Sequence, residues 1–319
     1  RGLATINGGN PLVIVDGVPG GSLGNINPAD IESMEILKDA ASAAIYGSAG
    51  GNGVILITTK RGQTDRFQAN LDMFWGLQEP WSKDNVKVCD AQQYAEIYNR
   101  SKANYFPYDN VNKVYMDHSD STKALTNTNW VDKIFRSQAL MQNYNLSVNK
   151  GGKKYNVYSS IGYNGEDGTV LRTYNKKYTF RLNSDYQVMK RLKVGESFSF
   201  SQRENSTQNE MNEYNSPLST AIQMLPMVPV YSTDGTGNYA YKGSDLSSGV
   251  KNPLAQIEYN NNVNNSRSFN GDVFLKLNVI ESLNFETHYS LNSSNSEYKN
   301  FTPVHTIGDT AAANPTQSV

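Results

Sequence analysis

Hydrophobic and polar residues alternate along most of the chain from Phe67 onward, and this period of two predicts amphipathic β-strands. In the most regular stretch, Leu182 lies on the apolar face and Asn183 on the polar face. The pattern recurs in seven segments, at 67–78, 140–149, 155–164, 178–188, 192–200, 269–279 and 283–291. Each segment therefore predicts a strand with one face against an apolar medium and the other against water.

The connections between these strands fall into two classes that alternate along the chain. The tight ones are 151–152, 189–191 and 280–282, and the longer ones are 79–139, 166–175 and 204–265. A soluble β-sandwich also shows alternation, but it has no reason to sort its connections by length. Short turns on one side and long loops on the other are typical of a transmembrane antiparallel β-barrel, which is the fold class predicted for this part of the chain.

The first part of the chain has a different pattern. Leu12–Val15 and Val54–Ile57 are short apolar runs that predict strands buried on both faces, and Ser33–Lys38 predicts a third strand with one wetter side. A single helical turn at 27–31 and a second helix over 39–47, closed by a left-handed glycine, are expected between them. These elements predict a small α+β unit.

Both of the longest connections contain residues that can order them. In the first, 90–104 and 129–135 have helical periodicity. Ordering the second costs a large conformational entropy, so we expect it to be fixed by packing, either on neighbouring loops alone or partly on a partner outside the chain. The apolar residues available for that packing are Met224, Leu225, Met227, Val228 and Val230.

Composition and charge narrow the function classes. The 319 residues carry a net charge of -1, so no basic excess points to nucleic acid as a partner. The 20 tyrosines suit β-sheet surfaces that are partly exposed to water, because the face of the ring is apolar and its hydroxyl can form hydrogen bonds. Cys89 is the only cysteine, which excludes an intramolecular disulfide. No run of about 18 apolar residues occurs, so no transmembrane helix is predicted.

The sequence predicts no catalytic residue, no cofactor site and no metal site. His118, His288 and His305 lie far apart in different contexts, so surface or lumen histidines are favoured over a triad or a zinc site. The glycine-rich stretch 47–53 precedes a strand and lacks the ending of a phosphate-binding loop. Asp16 is a candidate carboxylate catalyst, although a turn after the first strand is the simpler interpretation. An enzyme is therefore not expected.

Three motifs in the first part of the chain resemble the plug of TonB-dependent outer-membrane transporters, specifically the SusC/RagA-like family of the Bacteroidota. They are VIVDGVP, INPADIESMEILKDAASAAIYG and GGNGVILITTKRG, and further stretches extend the resemblance to about Phe200. The resemblance implies the C-terminal half of a plug domain at 1–63, with the TonB-contacting segment upstream of Arg1. It implies the N-terminal third of a barrel at 64–319, with about seven of 22 strands and long extracellular loops at 79–139 and 204–265.

What the family implies about function is TonB-dependent active import of a large nutrient, a glycan or an oligopeptide, across the bacterial outer membrane. The partners implied are a SusD-like surface lipoprotein that acts as a lid, TonB, the lipid bilayer and the glycan or peptide solute. A non-transport surface receptor or adhesin on a β-barrel scaffold is the alternative. The plug motifs favour import, since an adhesin needs no globular domain inside its lumen.

Two groups of candidate functional residues follow from the resemblance. Charged side chains of the plug are expected either to be solvated or to pair with the barrel wall in contacts that loosen during transport, and these are Glu32, Glu35, Lys38 and Arg61. Tyrosines of the second long loop are candidates for contact with the solute or the lid, namely Tyr231, Tyr239 and Tyr241.

Overall fold

The computed structural model describes residues 10–39, 43–62, 66–80, 86–105, 126–208, 216–233, 235–240, 250–303, 306–307, 310–311 and 316–318. The plug contains the strands β1 (Leu12–Val15), β2 (Val18–Pro19), β3 (Ile31–Leu37) and β4 (Val54–Thr59). The long strands that follow are β5 (Gln68–Gln78), β6 (Ala139–Gly151), β7 (Tyr155–Asp167), β8 (Tyr174–Met189), β9 (Leu192–Ser206), β10 (Asn261–Ile280) and β11 (Leu283–Thr302). Three short strands close the series, β12 (Thr306–Ile307), β13 (Thr310–Ala311) and β14 (Thr316–Ser318).

Four α-helices of the described residues lie in the two longest connections. They are α1 (Ala91–Tyr105), α2 (Trp130–Ile134), α3 (Pro217–Gln223) and α4 (Pro253–Tyr259). None of the helices in the described ranges is both long enough and apolar enough to cross a membrane.

The plug strands form one mixed sheet in the order β2-β1-β4-β3, with β1 and β4 parallel. Ile14 and Val54 are buried on one face of this sheet and Ile57 is buried on the other. The prediction of a strand covered on both faces is therefore confirmed for β4, whereas Val13 and Val15 leave the second face of β1 half-buried. The predicted turn is a 3-10 turn at Pro28–Asp30, where the Asn27 side chain accepts a hydrogen bond from Ala29 N. The predicted second helix is confirmed at Ala43, which is α-helical and whose N–H donates to Asp39 O at 3.2 Å. Beyond it, Ala44–Gly50 is a kinked 3-10 segment instead of a continued α-helix, and residues 40–42 lie outside the described ranges.

The long strands form a single antiparallel sheet in which each of β5 to β11 pairs with the next along the chain. All seven predicted strands are confirmed. A short strand beyond the seven segments also joins the sheet, since β14 pairs with the end of β11. β5 and β14 are the two edges, so the described sheet is not closed.

The two faces of this sheet differ as the alternation predicts. Leu146, Ile161 and Phe180 lie side by side on one face and are exposed. On the other face Asn145 and Asn183 are buried beneath the plug. We call this second, polar face the wall.

Two of the longer connections are shorter than predicted, because the strands run past the apolar band. β9 and β10 remain paired as far as Asn205 and Asn264, so the second long connection spans 207–260 rather than 204–265. The connection between β7 and β8 is only 168–173. Beyond the apolar band both faces are polar, so alternation no longer marks these strand ends.

The two longest connections pack together into one cluster at the same end of the sheet. Trp130 and Ile134 of α2 are buried against Met224, Val228 and Ile257. Thr128 N donates to Pro226 O at 2.8 Å, and Trp130 Nε1 donates to Leu225 O at 3.0 Å. The second loop therefore packs on its neighbour through the apolar residues predicted for that contact.

The helix predictions for the first long connection are confirmed. Asp90 accepts a hydrogen bond from Gln93 N at 2.8 Å, and the Gln93 side chain accepts from Asp90 N at 3.1 Å, so the two residues form a capping box. Asn129 caps α2 by accepting from Asp132 N.

Candidate functional site

The plug meets the wall at a buried arginine that lies between two plug carboxylates. Arg181 of β8 has its Nη1 at 3.6 Å from Asp16 Oδ2 and its Nε at 3.7 Å from Asp30 Oδ2. The side-chain exposures are 4% for Arg181, 5% for Asp16 and 2% for Asp30, so water barely reaches this ion triad. Both distances exceed that of a hydrogen bond, and among the described residues Arg181 Nε has no hydrogen-bond partner.

Asp16 is aimed at the wall by a tight turn. Val15 and Val18 are paired across Asp16 and Gly17, and both turn residues have positive φ, 51° and 88°. Such two-residue turns match the twist of a hairpin and favour Asp-Gly. The Asp16 carboxylate accepts from Thr59 N at 2.8 Å and from Thr59 Oγ1 at 2.6 Å, which ties the turn to β4.

Thr59 connects the Asp16 hydrogen bonds to side chains of the wall. Asn183 Nδ2 donates to Thr59 Oγ1 and to Lys60 O, both at 2.8 Å. Ser197 Oγ of β9 donates to Asn183 Oδ1 at 2.7 Å. Asn183 is 1% exposed, so its amide is wholly enclosed between the plug and the wall.

A second group of contacts surrounds Asp30. Tyr158 OH of β7 donates to Asp30 Oδ1 at 2.8 Å, and Asn27 Nδ2 donates to Asn145 Oδ1 at 2.9 Å. Gly162 permits this approach, because a Cβ at that position would collide with the Asn27 amide. The plug therefore rests on side chains from β6, β7, β8 and β9.

Among the four charged plug residues predicted to contact the wall, Arg61 forms an ion pair with it. Its Nη1 lies 2.8 Å from Asp185 Oδ1, and the guanidinium lies over the Phe274 ring at 5.4 Å. Glu32, Glu35 and Lys38 are exposed along β3 and just after it, at the edge of the plug sheet. Whether any of these charges acts in transport stays a prediction.

Comparisons with known proteins agree with this geometry. A family model described as the TonB-dependent Receptor Plug Domain matches residues 1–54. TonB-dependent receptor P26 of Formosa agariphila is 31% identical over 313 residues, which cover 95% of this chain and 29% of the relative. TonB-dependent receptor SusC of Bacteroides thetaiotaomicron is 28% identical over 303 residues, which cover 86% of this chain and 28% of the relative. The chain is similar to the SusC/RagA-like TonB-dependent receptors, in agreement with the resemblance of its sequence motifs.

Solved structures show the same fold. The RagAB peptide importer in its open-open state matches with a TM-score of 0.75 at 21% identity, covering 94% of this chain and 36% of that one. The closed-closed state gives the same TM-score of 0.75. The chain spans less than a third of the length of these curated relatives.

The contacts between plug and wall are ionic or polar in this receptor, and they suit reversible attachment. A buried ion pair contributes little net stability, because the cost of desolvating its charges offsets their attraction. Hydrogen bonds that are exchanged for water on opening also cost little, roughly 0.5–1.5 kcal/mol each. The described residues contain no group of three or more His, Cys, Asp or Glu that could hold a metal ion.

Sequence reasoning missed the central residues of this receptor interface. Asp16 was interpreted as a turn residue or a carboxylate catalyst, and Asp30 only as part of the helical turn at 27–31. A signal was present on the wall, where Arg181 lies on the same face as the neutral Thr179 and Asn183. A cation flanked by neutral residues on the polar face of a strand points to a carboxylate partner on another element.

The tyrosine candidates are partly described. Tyr231 and Tyr239 lie next to each other across a short antiparallel bridge, with ring centroids 5.2 Å apart. Tyr259 of α4 joins them, 5.7 Å from Tyr239 in an edge-on arrangement. Tyr241 lies outside the described residues. Sequence reasoning did not single out Tyr259, which the fold of the second loop brings to the other two.

Gly62 provides a test of how closely the receptor plug must approach the wall. A Cβ at Gly62 would lie 2.6 Å from Lys150 O and 2.8 Å from Val157 O, which are backbone atoms of two paired strands. We expect Gly62→Ala to push this segment off the wall, and limited proteolysis of the full-length receptor should then cut near residue 62 several-fold faster.

Gly76→Ala is the matched control. The nearest atom to a Cβ there belongs to the Phe74 ring, at 3.0 Å, which can turn aside. This variant should be cut at the wild-type rate. Unchanged cutting in Gly62→Ala would contradict the close approach of residue 62 to β6 and β7.

Proposed function

We propose that the receptor of which this chain forms part imports a large nutrient, a glycan or an oligopeptide, across the bacterial outer membrane. Import depends on TonB, and the plug is displaced from the wall as the solute passes. The observation that carries this proposal is the enclosed ion triad of Arg181, Asp16 and Asp30. A plug held by polar contacts can be detached and reseated without exposing an apolar core to water.

The energetics support displacement by a pulling force. Detaching the plug hydrates Arg181 and its two carboxylates, and that hydration offsets much of the attraction that is lost. An apolar interface of the same size would instead lose roughly 25 cal/mol for each Å² exposed. TonB, energised from the inner membrane, supplies the work.

The arrangement of connections supports the proposed placement in the membrane. Tight turns lie at one end of the sheet, and the helical cluster of the two long connections lies at the other. In outer-membrane barrels the short turns are periplasmic and the long loops extracellular. The helical cluster therefore faces outward, where a SusD-like surface lipoprotein acts as the lid over the solute.

Growth of the native host tests the function. We expect deletion of the gene to abolish growth on one class of nutrient, tested with mixed oligosaccharides and with mixed oligopeptides as the sole carbon source. The full-length gene should restore growth only in cells that retain TonB. Normal growth on both classes after deletion, with loss of surface adhesion, would favour the adhesin alternative.

Plug displacement has its own test. Gly24 O accepts a 2.6 Å hydrogen bond from Arg203 Nη2, so Gly24→Cys and Arg203→Cys place two thiols across the interface. A cleavable bifunctional thiol reagent that bridges them should stop uptake, and reduction should restore it. Each single-cysteine variant, treated in the same way, is the control. Uptake at the untreated rate in the bridged receptor would contradict release of the plug at this contact.

A further inference from the structure

The cluster of Tyr231, Tyr239 and Tyr259 forms an aromatic surface at the outer end of the fold. We infer that this surface binds a saccharide ring by stacking, as the first contact of the solute with the receptor. The inference rests on the proposed function, since it names the solute class for an importer. It goes further by assigning the contact to three residues of the second long connection.

The geometry of the cluster decides how a ligand can approach. The ring centroids are 5.2 Å apart for Tyr231 and Tyr239, and 5.7 Å apart for Tyr239 and Tyr259. Rings in direct contact leave no space between them, so the cluster cannot enclose a cation as an aromatic cage does. A ligand must lie flat on an outer face. Tyr231 offers that face, since it is 56% exposed.

The edge of the surface carries both hydrogen-bond donors and hydrogen-bond acceptors. Burial, and then the neighbouring Tyr231, raise the pKa of Tyr239 to about 12, so its hydroxyl keeps its proton at neutral pH. Glu258 adds acceptor oxygens, and Arg172 adds donors where its Nη2 lies 3.4 Å from Glu258 Oε1. A pyranose ring has an apolar C–H face and a rim of hydroxyls that donate and accept, which matches this arrangement.

An extended peptide fits the same surface less well. Peptides gain much of their affinity by pairing their backbone with an open strand edge. The backbone beside these tyrosines is already paired, with Ser232 N donating to Asn238 O at 2.7 Å and Ala240 N donating to Val230 O at 3.1 Å. Asn252 Nδ2 donates to the carbonyls of Val230 and Ala240 as well. The chemistry that remains available is therefore aromatic and side-chain polar, which favours a saccharide.

Binding to the purified full-length receptor in detergent tests this inference. The probes are linear hexasaccharides of glucose, mannose, xylose or galactose, each measured by calorimetry, together with a mixture of unlabelled oligopeptides. We expect at least one hexasaccharide to bind. Tyr231→Ala should weaken that binding tenfold or more, whereas Tyr231→Phe, which keeps the ring, should change it less than threefold.

The control is Leu218→Ala on α3, an exposed apolar residue of the same loop, which should bind as wild type does. Tyr231 is exposed, so its replacement is expected to leave folding intact, and an unchanged melting temperature checks this. Binding of oligopeptides but of no hexasaccharide would overturn the inference and leave the proposed import intact. Wild-type hexasaccharide affinity in Tyr231→Ala would also overturn it. Normal growth on both nutrient classes after deletion of the gene would instead contradict the proposed function.

Discussion

Arg181→Met is expected to loosen the plug more than any other single change at the interface. The methionine fills similar space but leaves Asp16 and Asp30 as enclosed carboxylates without their cation. Removing one partner of a buried ion pair costs roughly 3–5 kcal/mol. In cells expressing the full-length receptor, the loosened plug should admit vancomycin, measured as a lower inhibitory concentration.

Two further variants separate charge from packing. Arg136→Met removes a cation from a surface pair, 3.0 Å from Asp167, and should have little effect because exposed pairs contribute roughly 0–1 kcal/mol. Adding Asp16→Asn and Asp30→Asn to Arg181→Met removes the stranded charges, so the triple variant should recover much of the barrier to vancomycin. A triple variant as leaky as Arg181→Met would show that the charge balance of the triad is not what holds the plug.

Met73→Arg is expected to impair assembly of the barrel strongly, while Asp72→Arg is tolerated. Met73 lies at the middle of the apolar face of β5, and a guanidinium at the bilayer midplane costs roughly 2–4 kcal/mol. Asp72 is adjacent on the same strand and points to the polar face. Both side chains are exposed in this chain, so neither replacement collides with the plug.

The readout is the heat-modifiable mobility of the full-length receptor in outer-membrane fractions. Leu182 and Asn183 are a less suitable pair, because Asn183 is enclosed against Thr59 and an arginine there would clash with the plug. Equal assembly of the Met73→Arg and Asp72→Arg receptors would contradict the assignment of the apolar face to lipid.

Sequence alone predicted the strands wherever one face met lipid and the other met water. Alternation identified β8 because apolar residues occupy every second position from Tyr178 to Val188, with Ser184 as the exception. It failed at the ends of β9 and β10, where Asn205 and Asn264 lie beyond the apolar band and both faces are wet. The short strand β2 was also missed, because two residues are too few to show a period.

The interface was predictable only in part. Arg61 was proposed from its charge and its place at the end of the plug motifs. The pairing of Asp16 and Asp30 with Arg181 was not, because the partners are far apart in sequence and each aspartate already had a sufficient local explanation. A turn explains Asp16 and the first turn of a helix explains Asp30. Neither aspartate therefore indicated a partner elsewhere in the sequence.

The next-neighbour order of β5 to β11 also bears on how the molecule assembles. Outside the two longest connections, each strand can join the growing sheet as a hairpin with the strand before it, so the loop-closure cost of those steps is small. The contacts between plug and wall are different, since Asp16 and Arg181 can meet only after β8 exists. Their polar character allows them to form late and through water, which lets the curved sheet be completed before the plug is seated.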